Sequence, residues 1–264
     1  MKKWNKYLAV GISAFLLWNC ASVPQSKEGR KLIWSDEFNY KGLPDATKWN
    51  YDTGGSGFGN NEDQFYNENR LENARVEDGN LVIEARKEDW ENKKYTSARL
   101  ISRGKGDFQY GRIEVRAKLP KGRGTWPAIW MLSTDMKEWP DDGEIDIMEH
   151  VGGNQGFIHA SLHTKKYNHI MHNQKTDTIQ VADCSEQYHI YTLDWTKDKI
   201  DIYVDNQKYF TDENNEHTYE AWPFDQKMFL ILNLAIGGFW GGEKGIDNTI
   251  FPQKMYIDYV RVYQ

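Results

Sequence analysis

GRIEVRAKL, residues 111–119, sets Ile113, Val115 and Ala117 at every second position among Arg112, Glu114, Arg116 and Lys118. A period of two puts apolar side chains on one face of a strand and polar ones on the other, whereas a helix needs spacings of three and four. The same alternation recurs outward in both directions. It runs through KIDIYVDNQKYF (199–210), broken by a turn at Asp205-Asn206, and through MYIDYVRVY (255–263). NLVIEAR (80–86) reads as a further strand, and MFLILNLAI (228–236) is apolar enough to be covered on both faces. From Leu32 onward no long amphipathic helical period is free of breakers. Many short strands separated by Gly, Asn and Asp, with no internal repeat, predict an all-β, antiparallel, two-sheet sandwich of jelly-roll type. Nothing marks a second domain, so residues 31–264 are read as one unit.

The formal charge of −6 and the lack of clustered Lys and Arg exclude a general nucleic-acid binder, whose affinity rests on such clusters. Two cysteines, Cys20 and Cys184, exclude a disulfide scaffold. No feature marks a subunit interface, and a monomer is expected.

DDGEIDIMEH (141–150) holds Glu144, Asp146 and Glu149. On a helix Glu144 and Glu149 diverge, because five positions is not a facing offset. On a regular strand Glu144 and Asp146 share a face, while Glu149 points into the apolar interior, where an unpaired carboxylate is very costly. A β-bulge at Ile147 and Met148 removes the conflict by returning Glu149 to the face of the other two acids. The three acids then stand at successive same-side positions, about 6.6 Å apart along the strand. Retaining glycosidases need two carboxyls about 5–5.5 Å apart, which inward-leaning Glu side chains can reach. A solvated acidic turn feeding a strand fits the same composition.

The stretch Glu144-Ile145-Asp146-Ile147-Met148-Glu149 resembles the E-x-D-x-x-E signature of glycoside hydrolase family 16, in its bulged, laminarinase-like form. LIWSDEFN (32–39), GNNEDQFY (59–66), the block from Tyr95 to Leu132, LNLAIGGFWGG (232–242) and YIDYVRVYQ (256–264) are similar to further family segments, in order. The resemblance implies a jelly-roll fold and retaining β-glycoside hydrolysis, with Glu144 as nucleophile, Glu149 as general acid/base and Asp146 as the helper between them. It implies an endo-acting β-glucanase on β-1,3- or mixed-linkage β-1,3/1,4-glucan. A β-galactan or host-glycan hydrolase is the alternative within the class, and a non-catalytic glycan-binding lipoprotein the alternative outside it.

Trp126 and Trp130 are four apart in GTWPAIWML, an even offset that puts both indoles on one strand face as platforms for sugar rings. The resemblance places them in substrate subsites, with Trp240 a further candidate. His159 and His163 share a face of GFIHASLHT by the same spacing; a metal pair there lacks an obvious third ligand, so His163 is expected to hydrogen-bond substrate, with a structural histidine the alternative, and Asn61 and Arg99 offer donors to sugar hydroxyls. His169 and His172 are read as surface residues. Catalysis needs no cofactor. A structural calcium is implied at Glu37, the Gly79 carbonyl and Asp258, oxygen donors of the kind this cation prefers.

Residues 1–19 join a basic start to the apolar run YLAVGISAFLLW, the pattern of an export signal. LWNC (17–20) resembles a bacterial lipoprotein cleavage box, with Asn19 where a small residue is usual. Cys20 is therefore expected to carry lipid, residues 20–30 to act as a tether, and the protein to be exported as an outer-membrane lipoprotein. Cys184 is read as an inert thiol.

Overall fold

The computed structural model describes Met1 and residues 29–264, so the leader, Cys20 and most of the tether lie outside the described residues. The alternating runs form strands in two sheets. In the first sheet the strand order is Gln207–Glu213, Lys199–Val204, His189–Trp195, Gly111–Lys118, Gln253–Tyr263, Asn80–Trp90, Lys93–Ser97, Gln64–Tyr66. In the second it is Lys175–Gln180, Phe157–His163, Glu144–His150, Thr125–Ser133, Met228–Ile236, Arg99–Ile101, Asn50–Tyr51. Ile113 and Val115 of the first sheet join Ile129, Met131, Ile145, Leu230 and Leu232 of the second in one apolar cluster, which is the filling of a sandwich. All nine residues of Met228–Ile236 are buried, as its lack of alternation predicts.

Two details depart from the sequence reading. Gln64–Tyr66 pairs in parallel with Lys93–Ser97, so the first sheet is mixed; the long intervening chain lets the two strands run the same way. The polar face of Gly111–Lys118 is also covered at one end. Arg112 and Glu114 are buried and paired at 2.8 Å, because this strand lies between His189–Trp195 and Gln253–Tyr263 and long neighbouring side chains close over it. The Asp205-Asn206 turn forms as expected, with positive φ at both residues, the conformation that suits a two-residue hairpin.

Candidate active site

The strand Glu144–His150 is irregular where the sequence requires it. Against Phe157–His163, Asp146 faces Ser161 and Glu149 faces His159, so three steps on one strand match two on the other. Against Thr125–Ser133 the slip falls between Asp146, opposite Trp130, and Met148, opposite Ile129. Ile147 and Met148 are consecutive and both lie in the core. That doubling is what a bulge provides, and it keeps a carboxylate out of the interior. Across the resulting face, Glu149 lies beside His159 and Ala128, Asp146 beside Ser161 and Trp130, and Glu144 beside His163 and Leu132.

Each acid meets different donors. Trp139 Nε1–H donates to Glu144 Oε2 at 2.9 Å, and Trp126 Nε1–H donates to Glu149 Oε1 at 3.0 Å. His163 Nε2 stands 3.3 Å from Asp146 Oδ2 and 3.8 Å from Glu144 Oε1. Burial pushes the Glu144 carboxyl up to about 8, with repulsion from Asp146 adding to it and the His163 and Trp139 contacts opposing it. Burial likewise raises Asp146. Glu149 is held well above the usual carboxylate range, by burial first and then by both neighbouring acids. Three carboxyls so placed cannot all ionise near neutral pH.

Trp126 and Trp130 lie on the face of the acids and keep part of their surface open. Trp130 is fixed on two sides: its Nε1–H donates to Asn233 Oδ1 at 2.7 Å, and the Arg99 guanidinium lies 4.7 Å from its ring. Arg99 also stacks on Phe58 at 5.0 Å and meets Asp52 through Nε at 3.0 Å. It is buried, so its visible role is to brace Trp130 rather than to present donors to solvent. Asn233 Nδ2–H donates to Tyr66, whose hydroxyl donates to Glu62, a buried acid raised by desolvation and held down partly by Arg99.

Trp240 packs edge-on against Trp126 at 5.4 Å and against His159 at 5.0 Å. It sits on the short helix Gly238–Gly241, where sequence reading gave only a loop. Gly237 before it has φ +71°, and a Cβ there would collide with the Asp63 carboxylate, so glycine is required to bring the indole in. Phe239, beside it, is the most exposed aromatic ring among the described residues, and its N–H donates to Asn60 O. Asn61 follows in the same loop, exposed and at φ +55°.

His163 stands among the acids. It is buried and turns Nε2 toward the acids, because the register places it directly across from Glu144. His169 is exposed, as expected, and its ring also lies 5.0 Å from Trp139 and 5.2 Å from His163. His159 bonds Thr178 Oγ1 through Nδ1 at 3.1 Å. The sequence reading missed Trp139 and the Asn233–Tyr66–Glu62 chain. Trp139 stands five residues before Glu144 in a polar loop with no periodicity to place it.

The residues implied for calcium are otherwise engaged. Both Glu37 oxygens accept from Arg261, at 2.9 and 2.7 Å, and Asp258 accepts from Arg116 at 2.5 Å. As they stand, these side chains do not fit a calcium site, since a divalent cation would have to displace a guanidinium from each carboxylate. Cys184 is free and buried, and burial raises its thiol, in keeping with an inert residue.

A sandwich with two glutamates around an aspartate on one strand face, flanked by partly exposed indoles, has the paired carboxyls of the class of glycoside hydrolases. The model of "Glycosyl hydrolases family 16" matches residues 61–261, and the chain belongs to that family. It is 51% identical over 243 residues to a beta-glucanase of Rhodothermus marinus, covering 89% of this chain and 85% of that protein. Among solved structures, the laminarinase of Rhodothermus marinus superposes with a TM-score of 0.88 at 50% identity, covering 89% of this chain and 97% of that one. A mutant of SCLam, a non-specific endo-beta-1,3(4)-glucanase crystallised with 1,3-beta-D-cellotriosyl-glucose, superposes with a TM-score of 0.87 at 50% identity. That match covers 90% of this chain and 95% of the other.

Proposed function

We propose that the protein is an endo-acting, retaining β-glucan hydrolase that cleaves β-1,3- or mixed-linkage β-1,3/1,4-glucan. The observation that carries the chemistry is the bulge that sets Glu144, Asp146 and Glu149 on one open face. In the first step a Glu144 oxygen bonds to the anomeric carbon as the glycosidic C–O bond breaks, and Glu149 gives its proton to the departing oxygen. In the second, Glu149 takes a proton from water, water oxygen bonds to the same carbon, and the Glu144 ester is released. Asp146, 3.3 Å from His163, orients Glu144 and raises the cost of a second charge. Trp126, Trp130 and Trp240 offer apolar platforms for successive sugar rings.

Reducing-sugar release on laminarin, lichenan, cereal mixed-linkage glucan, agarose and galactan tests the substrate. Activity confined to agarose or galactan would move the reading to the alternative within the family. A chain that binds but releases nothing would be the glycan-binding lipoprotein, a reading disfavoured because three mutually repelling carboxylates serve no binding purpose here. Early products analysed by proton NMR are expected in the β configuration; α products first would refute double displacement.

Trp126→Phe separates the platform from the hydrogen bond. Phe keeps a ring for sugar but removes the N–H that favours ionised Glu149, so the Glu149 carboxyl rises further. A general acid works while protonated. The alkaline limb of kcat/KM is therefore expected to move to higher pH, whereas Trp240→Phe leaves that limb in place.

The lipid anchor at Cys20 and export to the outer membrane are part of the same proposal and rest on the leader sequence, and so is a monomeric state, which rests on the lack of any sequence feature marking a subunit interface. Incorporation of labelled palmitate, lost in Cys20→Ala, is the expected result. No structural calcium is part of this proposal, because Glu37 and Asp258 are engaged by Arg261 and Arg116. A chelator is expected to leave the Tm unchanged.

A further inference from the structure

Glu144, Asp146 and His163 present one donor atom each, all within 4.8 Å of one another. We infer that these three side chains form a binding site for a borderline transition-metal dication such as Zn²⁺, which inhibits the enzyme by occupying the place of the substrate.

The spacing is that of a coordination shell. Donors about 2.0–2.1 Å from a tetrahedral zinc stand about 3.3 Å apart. His163 Nε2 is 3.3 Å from Asp146 Oδ2 and 3.8 Å from Glu144 Oε1, so small side-chain adjustments close the set. The free atoms are the right ones. Trp139 occupies Glu144 Oε2, which leaves Oε1 toward His163. Asp146 is 2% exposed, and its Oδ2 is a buried oxygen without a hydrogen-bond partner, aimed at the same point. An imidazole nitrogen with two carboxylate oxygens suits zinc, cobalt or copper, whereas calcium takes six to eight oxygens and magnesium an oxygen octahedron. The two carboxyls face each other and match the dication once it displaces their protons. Binding uses the Nε2 lone pair, so the imidazole proton resides on Nδ1. A water molecule would supply the fourth ligand.

Nothing in hydrolysis requires this ion; its consequence is inhibition, and that part rests on the proposed active site. The test uses protein dialysed against chelator and titrated with Co²⁺, a spectroscopic stand-in for Zn²⁺, with and without a β-1,3-gluco-oligosaccharide. One equivalent of Co²⁺ is expected to give intense tetrahedral visible bands, which Zn²⁺ abolishes by displacement. In His163→Gln affinity should fall at least about tenfold and the bands should disappear. Asp146→Asn, an isosteric change, provides the same readout should the first variant fail to fold. Bands that persist in both variants, or no tetrahedral bands in the parent protein, overturn the metal site. Bands lost in the variants but unaffected by oligosaccharide support the metal site and overturn the placement of substrate over these acids.

Discussion

Glu149→Ala is expected to lower kcat on laminarin by about 10²–10⁴-fold, the usual worth of a positioned general acid. The loss should nearly vanish in the first step for an aryl β-glucoside whose leaving group needs no proton. The enzyme should then stall as the Glu144 ester, and added azide should release it as a β-glycosyl azide. Glu144→Ala is expected to lose at least as much on every substrate, because no covalent intermediate can form. There azide fills the space of the missing carboxylate and the product is the α-glycosyl azide. The two stereochemical outcomes distinguish the residues even though both variants are inactive on polymer. If azide gave the β product from Glu144→Ala, the roles would have to be exchanged.

The asymmetry already present around the two glutamates predicts this assignment. Glu144 has the Trp139 N–H and the nearby His163, whereas Glu149 has a single N–H donor and the repulsion of both other acids. Glu144 is thus the easier of the two to ionise. The same repulsion carries a cost to the fold. A carboxyl whose folded pKa is raised stabilises the native state below its unfolded pKa, near 4, and loses that contribution as pH rises. Removing either acid should therefore raise the Tm at pH 8 and leave it almost unchanged at pH 4.

Arg99→Met is expected to destabilise the protein by about 3 kcal/mol at pH 7, in the range seen when one partner of a buried charge pair is lost. For a domain of this length that is roughly a 10 °C fall in Tm. Met retains much of the length that packs on Trp130 and Phe58, so the loss is mainly electrostatic. Glu62 is 5% exposed, its carboxyl is already raised by desolvation, and Arg99 is the cation that opposes the shift. Without Arg99 its folded pKa climbs further. The deficit should accordingly be smallest near pH 4, where Glu62 is protonated in both states, and grow as pH rises. Thermal melts at pH 4, 6 and 8 measure it; a deficit independent of pH would assign the loss to packing instead. Because Arg99 braces Trp130, KM for glucan should rise as well.

Much of this site is legible in ten residues. Glu144 and Asp146 share a strand face by parity, and Glu149 cannot enter a core built from Ile145, Ile147 and Met148, so the register has to slip between them. Trp126 and Trp130 fall on the same face by the same arithmetic. What parity cannot supply is the partner across the sheet. His163 meets Glu144 because their strands pair in that register, and a shift of two residues would leave the alternation intact and bring Ser161 there instead. Arg99 likewise offers itself as a donor in sequence, and only its contacts with Phe58, Trp130 and Asp52 turn it into a brace.

The sequence by itself determined the sandwich, the face on which the acids emerge and the irregularity that lets the third one join them, because strand periodicity and the cost of burying charge are local constraints. Tertiary structure alone decided which donor each acid meets. Trp139 reaches Glu144 from a loop without periodicity, and Asn233 meets Tyr66 across 167 positions of chain. Such contacts arise from how strands distant in sequence are placed beside one another, and alternation within a single strand carries no information about its neighbour.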